Sequence, residues 1–193
     1  MALWIPRLEW DEVSVTATRT ATSPVLSSIA STAEINVGMI VNGTGLPTDA
    51  VVVSKTVSSV TLNVDATLSG SSVLVFKERY DFEFPPVSDS EEVLKPKLSV
   101  IESLSGIQQF QVSYLEAERN LDFFFINQTD ADKLKDNFYI YAYLGNSFKY
   151  YPDKDEVDYQ IMTLNKYEFS RTRQVKKHPY FKYSIKFSFR RVV

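Results

Sequence analysis

The sequence has no cysteine and a single histidine in 193 residues. Without cysteine there are no disulfides, no thiolate metal site and no thiol nucleophile. The redox compartment stays open, because a cysteine-free chain is at home in oxidising or reducing surroundings. The one imidazole is His178 in "KKHPY", where it reads as a polar turn residue beside Pro179 rather than as a general base. No window approaches the roughly 18 consecutive apolar residues of a membrane helix. The start, "MALWIPRLEWDEV", has acids by residue 9 and no apolar run of signal-peptide length. A protein made and folded in a cytoplasm is expected. Glycine is also scarce, six in all. "GTGLP" (43–47) lacks the following helix and lysine of a phosphate cradle, so it reads as a turn.

The most informative absence is local. Residues 13–75 contain none of the 26 aromatics and five of the 45 charged residues, but 21 Ser or Thr. "VSVTATR", "AVVVSKTV", "SVTLNV" and "SSVLVF" set β-branched residues in alternation with polar ones, the pattern of short strands on a pleated surface. "NGTGLPTD" supplies turn chemistry between them. The alternation is too regular for a disordered Ser/Thr-rich linker and predicts a small all-β module with an aliphatic core. The flanks, "LWIPRLEWDEV" and "FKERYDFEFPPV", resemble each other in Trp, Tyr, Phe and mixed charge. The predicted organisation is one main domain, residues 1–12 and 76–193, interrupted by a module at 13–75, since insertion succeeds where chain ends meet at a surface.

In the main domain "YDFEF" (80–84) alternates as a half-buried strand, and "PPVSDSEEVLKPK" (85–97) reads as an exposed loop. "QQFQVSYLEAERNLDFFFI" offers two strands joined by a turn at "LEAERN". A helix is predicted over 130–143. Thr129 would cap it, Asp130 and Asp132 suit its first turn, and Ala131, Leu134, Phe138, Tyr141 and Ala142 share one face. Gly145 follows as its stop. "YFKYSIKFSFRRV" is the clearest strand, with Phe181, Tyr183, Ile185, Phe187 and Phe189 opposed to Lys182, Ser184, Lys186, Ser188 and Arg190. The expected fold is mainly β (α+β): an antiparallel sandwich or barrel-like main domain with one helix, plus the inserted all-β module.

No catalytic constellation emerges, and no cofactor or metal is expected. The acids of "DKDEVD" (153–158) would suit a hard cation, but they lack the glycine and ligand spacing of a calcium loop and read as a solvated hairpin tip. Glu116 and Glu118, beside Arg119, do not form a carboxylate pair across a cleft. Charge is lopsided instead. Residues 166–193 hold Lys166, Arg171, Arg173, Lys176, Lys177, Lys182, Lys186, Arg190 and Arg191 against Glu168, a net +8; the whole chain is −3, so residues 1–165 carry −11. Those nine basic residues are the candidate subunit interface, a basic end to meet an acidic body. A nucleic-acid surface is the weaker reading, because on residues 181–189 aromatics and basics face opposite sides, whereas a stacking platform needs both together.

Residues 37–70, "VGMIVNGTGLPTDAVVVSKTVSSVTLNVDATLSG", resemble a module common in tailed-phage tail and fibre proteins. Val37, Gly38, Met39, Gly43, Thr44, Gly45, Leu46, Pro47, Leu62, Ala66, Thr67 and Gly70 fit its pattern; Thr48 and Asp49 depart from it, where Gly-Thr is usual. The remainder is similar to distal-tail proteins in the order of its features, through "ERYDFEFPP", "SLSGIQQFQ", "LGNSFKYYPDKDE" and "YEFSRTRQV…YFKYSIKFSFRRVV". The resemblance implies a non-enzymatic virion protein, assembled in the host cytoplasm. It would form a ring of copies of itself, hexameric in such proteins, between the tail tube and the tip or hub proteins. No binding residues carry over. Other virion positions (head–tail connector, tail terminator, fibre adaptor) stand as alternatives. So do nucleic-acid binding and a carbohydrate-binding role for the aromatics among residues 138–151.

Overall fold

Alternating aliphatic and hydroxyl side chains become six strands in the aromatic-poor part of the chain: β1 (Arg7–Arg19), β2 (Val25–Ser27), β3 (Ile40–Asn42), β4 (Ala50–Lys55), β5 (Val60–Leu62) and β6 (Gly70–Asp81). In this computed structural model, which describes residues 4–83, 85–86, 88–102, 108–172 and 182–191, the chain divides into two compact units. One is Leu8–Tyr80, enclosing residues 13–75; the other is Met1–Arg7 with Asp81–Val193.

In the first unit the strands run in the order β2-β5-β4-β3-β6-β1, and β2 pairs with β1 as well. That last pairing, Thr18 opposite Ser27 and Arg19 opposite Leu26, closes the sheet into a barrel and removes its free edges. The interior is aliphatic, with Leu26, Val41, Val52, Val60, Leu62 and Leu74 all buried and Phe76 the one aromatic of the cluster. Ile29, Ile35 and Met39, from the connection between β2 and β3, complete it. Lys55 holds that connection down by donating from Nζ to the carbonyls of Thr32 (3.1 Å) and Ile35. The "GTGLP" segment is the β3–β4 turn, with Gly45 at φ +77°, a conformation that side chains rarely tolerate.

The second unit has an antiparallel sheet in the order β9-β10-β11-β8-β7, formed by β7 (Ser88–Glu102), β8 (Gln108–Ile126), β9 (Phe148–Tyr151), β10 (Gln160–Thr172) and β11 (Lys182–Arg191). One helical segment packs on it: α1 (Gln128–Lys133), a π-helical stretch (Leu134–Tyr139) and α2 (Ile140–Tyr143). Of the expected helical face, Ala131, Leu134, Phe138 and Ala142 are buried. The Phe138 ring meets Phe148 edge-on at 4.8 Å and also touches Phe187 and Phe189. The helix ends where Gly145 takes φ +86° and donates its N–H to Ala142. The fold is thus mainly β, antiparallel, with one helix.

Three local expectations need correction. The helix cap is Asn127, two residues before Thr129; its backbone is extended and its Oδ1 accepts from Asp130 N at 2.9 Å, so Thr129 already lies inside the first turn. Residues 88–97, expected as loop, are the first part of β7. Their acids and Pro96 suit an edge strand, which needs only one partner. "LEAERN" is not a turn: β8 runs unbroken through it, and the hairpin is instead between β7 and β8, Glu102 opposite Gln108. No helix among the described residues is long and apolar enough to cross a membrane.

Candidate functional site

The sequence-predicted interface falls on β10 and β11. Along β11 Ile185, Phe187 and Phe189 are buried, Lys186 is exposed, and Ser188 and Arg190 are half-buried, as strand alternation requires. Ser184 departs from the pattern and is buried. Register extends the polar positions across three strands. Asn120 of β8, Ser188 and Lys166 of β10 share one row; Asp122 and Lys186 share the next. These residues, with Phe187, line a cleft of about 210 Å³ on the sheet. A bulge between Leu164 and Lys166 frees Asn165, which donates to Glu118 (3.0 Å) and accepts from Arg190 (3.4 Å).

This surface is not the uniformly basic face that β11 alone predicts. β8 lays Glu118 opposite Arg190 and Asp122 opposite Lys186, and Lys186 Nζ lies 3.3 Å from Asp122 Oδ2. Carboxylates from a strand 64 to 72 residues away in sequence partly neutralise the cations, so the face carries both signs. At its described side chains it presents ammonium, carboxylate, amide and hydroxyl groups to a polar partner, with Phe187 and Phe189 buried beneath. Arg171 and Lys182 lie on the paired backbones of β10 and β11; Arg191 is exposed at the end of β11. Arg173, Lys176, Lys177 and His178 lie outside the described residues.

A second feature escaped sequence reasoning. β8 pairs β11 only over Glu118–Ile126, whereas it pairs β7 from Gln108 onward. Residues 108–117 of β8 and 94–102 of β7 therefore form a two-stranded ribbon that pairs, among the described residues, with no third strand. At 3.3 Å per residue it reaches about 30 Å past the end of β11. The available signal was the weak alternation around Leu94, Leu98 and Val100, obscured by Pro96 and its flanking lysines. Exposed apolar side chains gather elsewhere, at the end of the helix, in Ile140, Tyr143 and Leu144.

Other candidates resolve into structure. The 153–158 acids lie in the connection between β9 and β10. There Asp153 Oδ1 accepts from Asp155 N at 3.1 Å and its carbonyl from Glu156 N at 3.2 Å, so Asp153 organises the turn. Among the described residues no cluster of three or more His, Asp or Glu is disposed to hold a metal ion. Arg119 lies over the rings of Tyr150 (5.0 Å) and Trp4 (5.7 Å), which assigns it to packing. No protein-family model and no curated protein matches this chain.

Proposed function

We propose that the chain is a structural, ring-forming component of a tailed-phage virion, of the distal-tail type, joining tail tube to tip through protein contacts. The observation that carries the ring is the β7–β8 ribbon. Two strands alone are marginal in water, and an open edge recruits another strand. A ribbon of this length is a part completed by a neighbour, and a head-to-tail contact of this kind closes into a ring when the rotation is right. The open face of β8, β10 and β11, polar and of both signs, suits the rim of such an interface. The virion setting is supported by the resemblance of residues 37–70 to tail and fibre modules and by the order of features over 78–193.

The ring is tested on the full chain by light scattering and electron microscopy. Lys95 and Glu116 are register partners, so an Asn-Gly turn joining them removes the ribbon at a position that accepts a two-residue hairpin loop. The full chain should form a closed ring, and the trimmed chain should be monomeric with its near-ultraviolet spectrum and cooperative melting retained. A full chain that stays monomeric, or a trimmed chain that assembles equally well, defeats the reading. Gold-labelled antibody on intact particles should mark the tail tip; label at the neck would transfer the chain to a connector or terminator role.

A further inference from the structure

The cleft on β8, β10 and β11 sets two lysines, Lys166 and Lys186, against the single carboxylate of Asp122, with Phe187, Asn120 and Ser188 completing its lining. Lys186 keeps half of its side-chain surface exposed while it lies 3.3 Å from Asp122, and Lys166 is exposed. An ammonium carries three donors, so a pair this open leaves the outward side of Lys186 to a second acceptor. At about 210 Å³ the cleft is smaller than the about 300–1,000 Å³ of small-molecule pockets. It opens on a sheet face and suits a few side chains of a protein segment that brings carboxylates.

The same unit exposes such a segment. Residues 153–158, "DKDEVD", set four carboxylates against Lys154, a net −3. Asp153 is occupied in shaping the turn. Asp155, Glu156 and Asp158 are exposed, and among the described residues none of the three is in an ion pair. Acids elsewhere have partners: Asp130 accepts from Asn127 Nδ2, Asp49 pairs with Arg79, and Asp81 pairs with Arg7. Val157, between Glu156 and Asp158, is 86% exposed. The turn cannot bend back onto the cleft of its own chain. Lys154 N donates to Ile5 O at 2.7 Å and anchors it, and Lys166 lies six residues beyond Gln160 on β10, about 20 Å away.

We propose that the 153–158 turn of one copy docks in the β8–β10–β11 cleft of the next, Asp155, Glu156 and Asp158 meeting Lys166 and Lys186 while Val157 covers the edge of Phe187. This contact rests on the ring reading above and supplies the surfaces that meet in it. Turn and cleft are different surfaces, as a head-to-tail contact requires. An apolar residue flanked by acids matches a ring flanked by ammoniums. Exposed ion pairs add little affinity, so these fix register and speed encounter, while the ribbon supplies the larger contact.

Two charge reversals test it on the full chain: Asp155→Lys, Glu156→Lys and Asp158→Lys together on the turn, and Lys166→Glu with Lys186→Glu in the cleft. Each set alone should raise the concentration for half-assembly about tenfold in light scattering, and a chain carrying both sets should recover most of that loss. Melting curves taken beside the scattering show that each variant is folded. Carbodiimide treatment of an assembled mixture of ¹⁴N and ¹⁵N copies reads the contact without substitution, and decides alone if a reversed chain does not fold. Linked peptides joining Lys166 or Lys186 to the turn acids should carry one label each. Assembly indifferent to either reversal, no recovery in the combined chain, or absence of mixed-label links between these segments overturns the docking and leaves the ring standing. A full chain that never assembles overturns both.

Discussion

Phe138 is the side chain through which the helix is fixed to the sheet, and truncating it to alanine gives a sharp test of that packing. It is fully buried, and its ring makes edge-on contacts with Phe148, Phe187 and Phe189 at 4.8, 5.8 and 6.5 Å. Phe→Ala in a core costs about 3–5 kcal/mol through lost transfer energy and the cavity left behind. Aromatic pairs add about 0.5–1.5 kcal/mol each beyond burial. Two of its three partners are held by β11, which cannot close onto the void without breaking register with β8 and β10. Little relaxation is available, so the expected loss lies in the upper part of the range, about 4 kcal/mol, a large share of the about 5–15 kcal/mol that holds a domain together. Phe138→Leu keeps most of the volume and should cost about 1.5 kcal/mol. Urea unfolding followed by near-ultraviolet circular dichroism reads both, with the slope checked for constancy. A loss below about 1 kcal/mol for Phe138→Ala would mean that the helix does not depend on this cluster.

Two further outcomes follow from local geometry. Asn127→Ala should lower stability by about 1 kcal/mol through loss of the cap bond to Asp130, while Thr129→Ala should change it by less than about 0.5 kcal/mol; a reversed ranking in urea unfolding would put the cap back at Thr129. The Asp11 carboxyl is held above its ordinary value of 3.8, first by burial and second by the charge of Glu34. A raised folded value means the protonated form favours folding, so stability is greatest below 3.8 and falls as pH rises through the folded value. Asp11→Asn should therefore melt higher than the parent at neutral pH, and the gap should close as pH falls below 3.8; Asn also tolerates the φ of +52° found there. An equal or lower melting temperature at neutral pH would contradict this.

Features set by near neighbours in the chain were legible. Four of the six barrel strands announced themselves by alternation; β2 and β3, three residues each, exist as strands only because partners bracket them. The helix face was readable because Ala131, Leu134, Phe138 and Ala142 repeat at helical spacing, and its stop because Gly145 adopts positive φ. Its cap was misplaced because Asn127 and Thr129 are both good capping residues, and the choice depends on where β8 releases the chain.

The sequence by itself determined an aliphatic β-module, an aromatic core and a C-terminal strand with one greasy and one polar face. Each of these is a consequence of side-chain period and of the cost of leaving apolar surface in water. Tertiary structure decided everything that depends on register between distant strands. It made a strand of residues 88–97, which carry acids and Pro96 but have β8 to pair with. It extended β8 into a ribbon beyond the reach of β11, and it set Glu118 and Asp122 against the basic positions of β11. It also buried Arg19 against Gly45, with Ser72 as its hydrogen-bond acceptor among the described residues. Hydrogen-bond pairing and burial are properties of neighbours in space, and for these residues the neighbours lie tens of positions away.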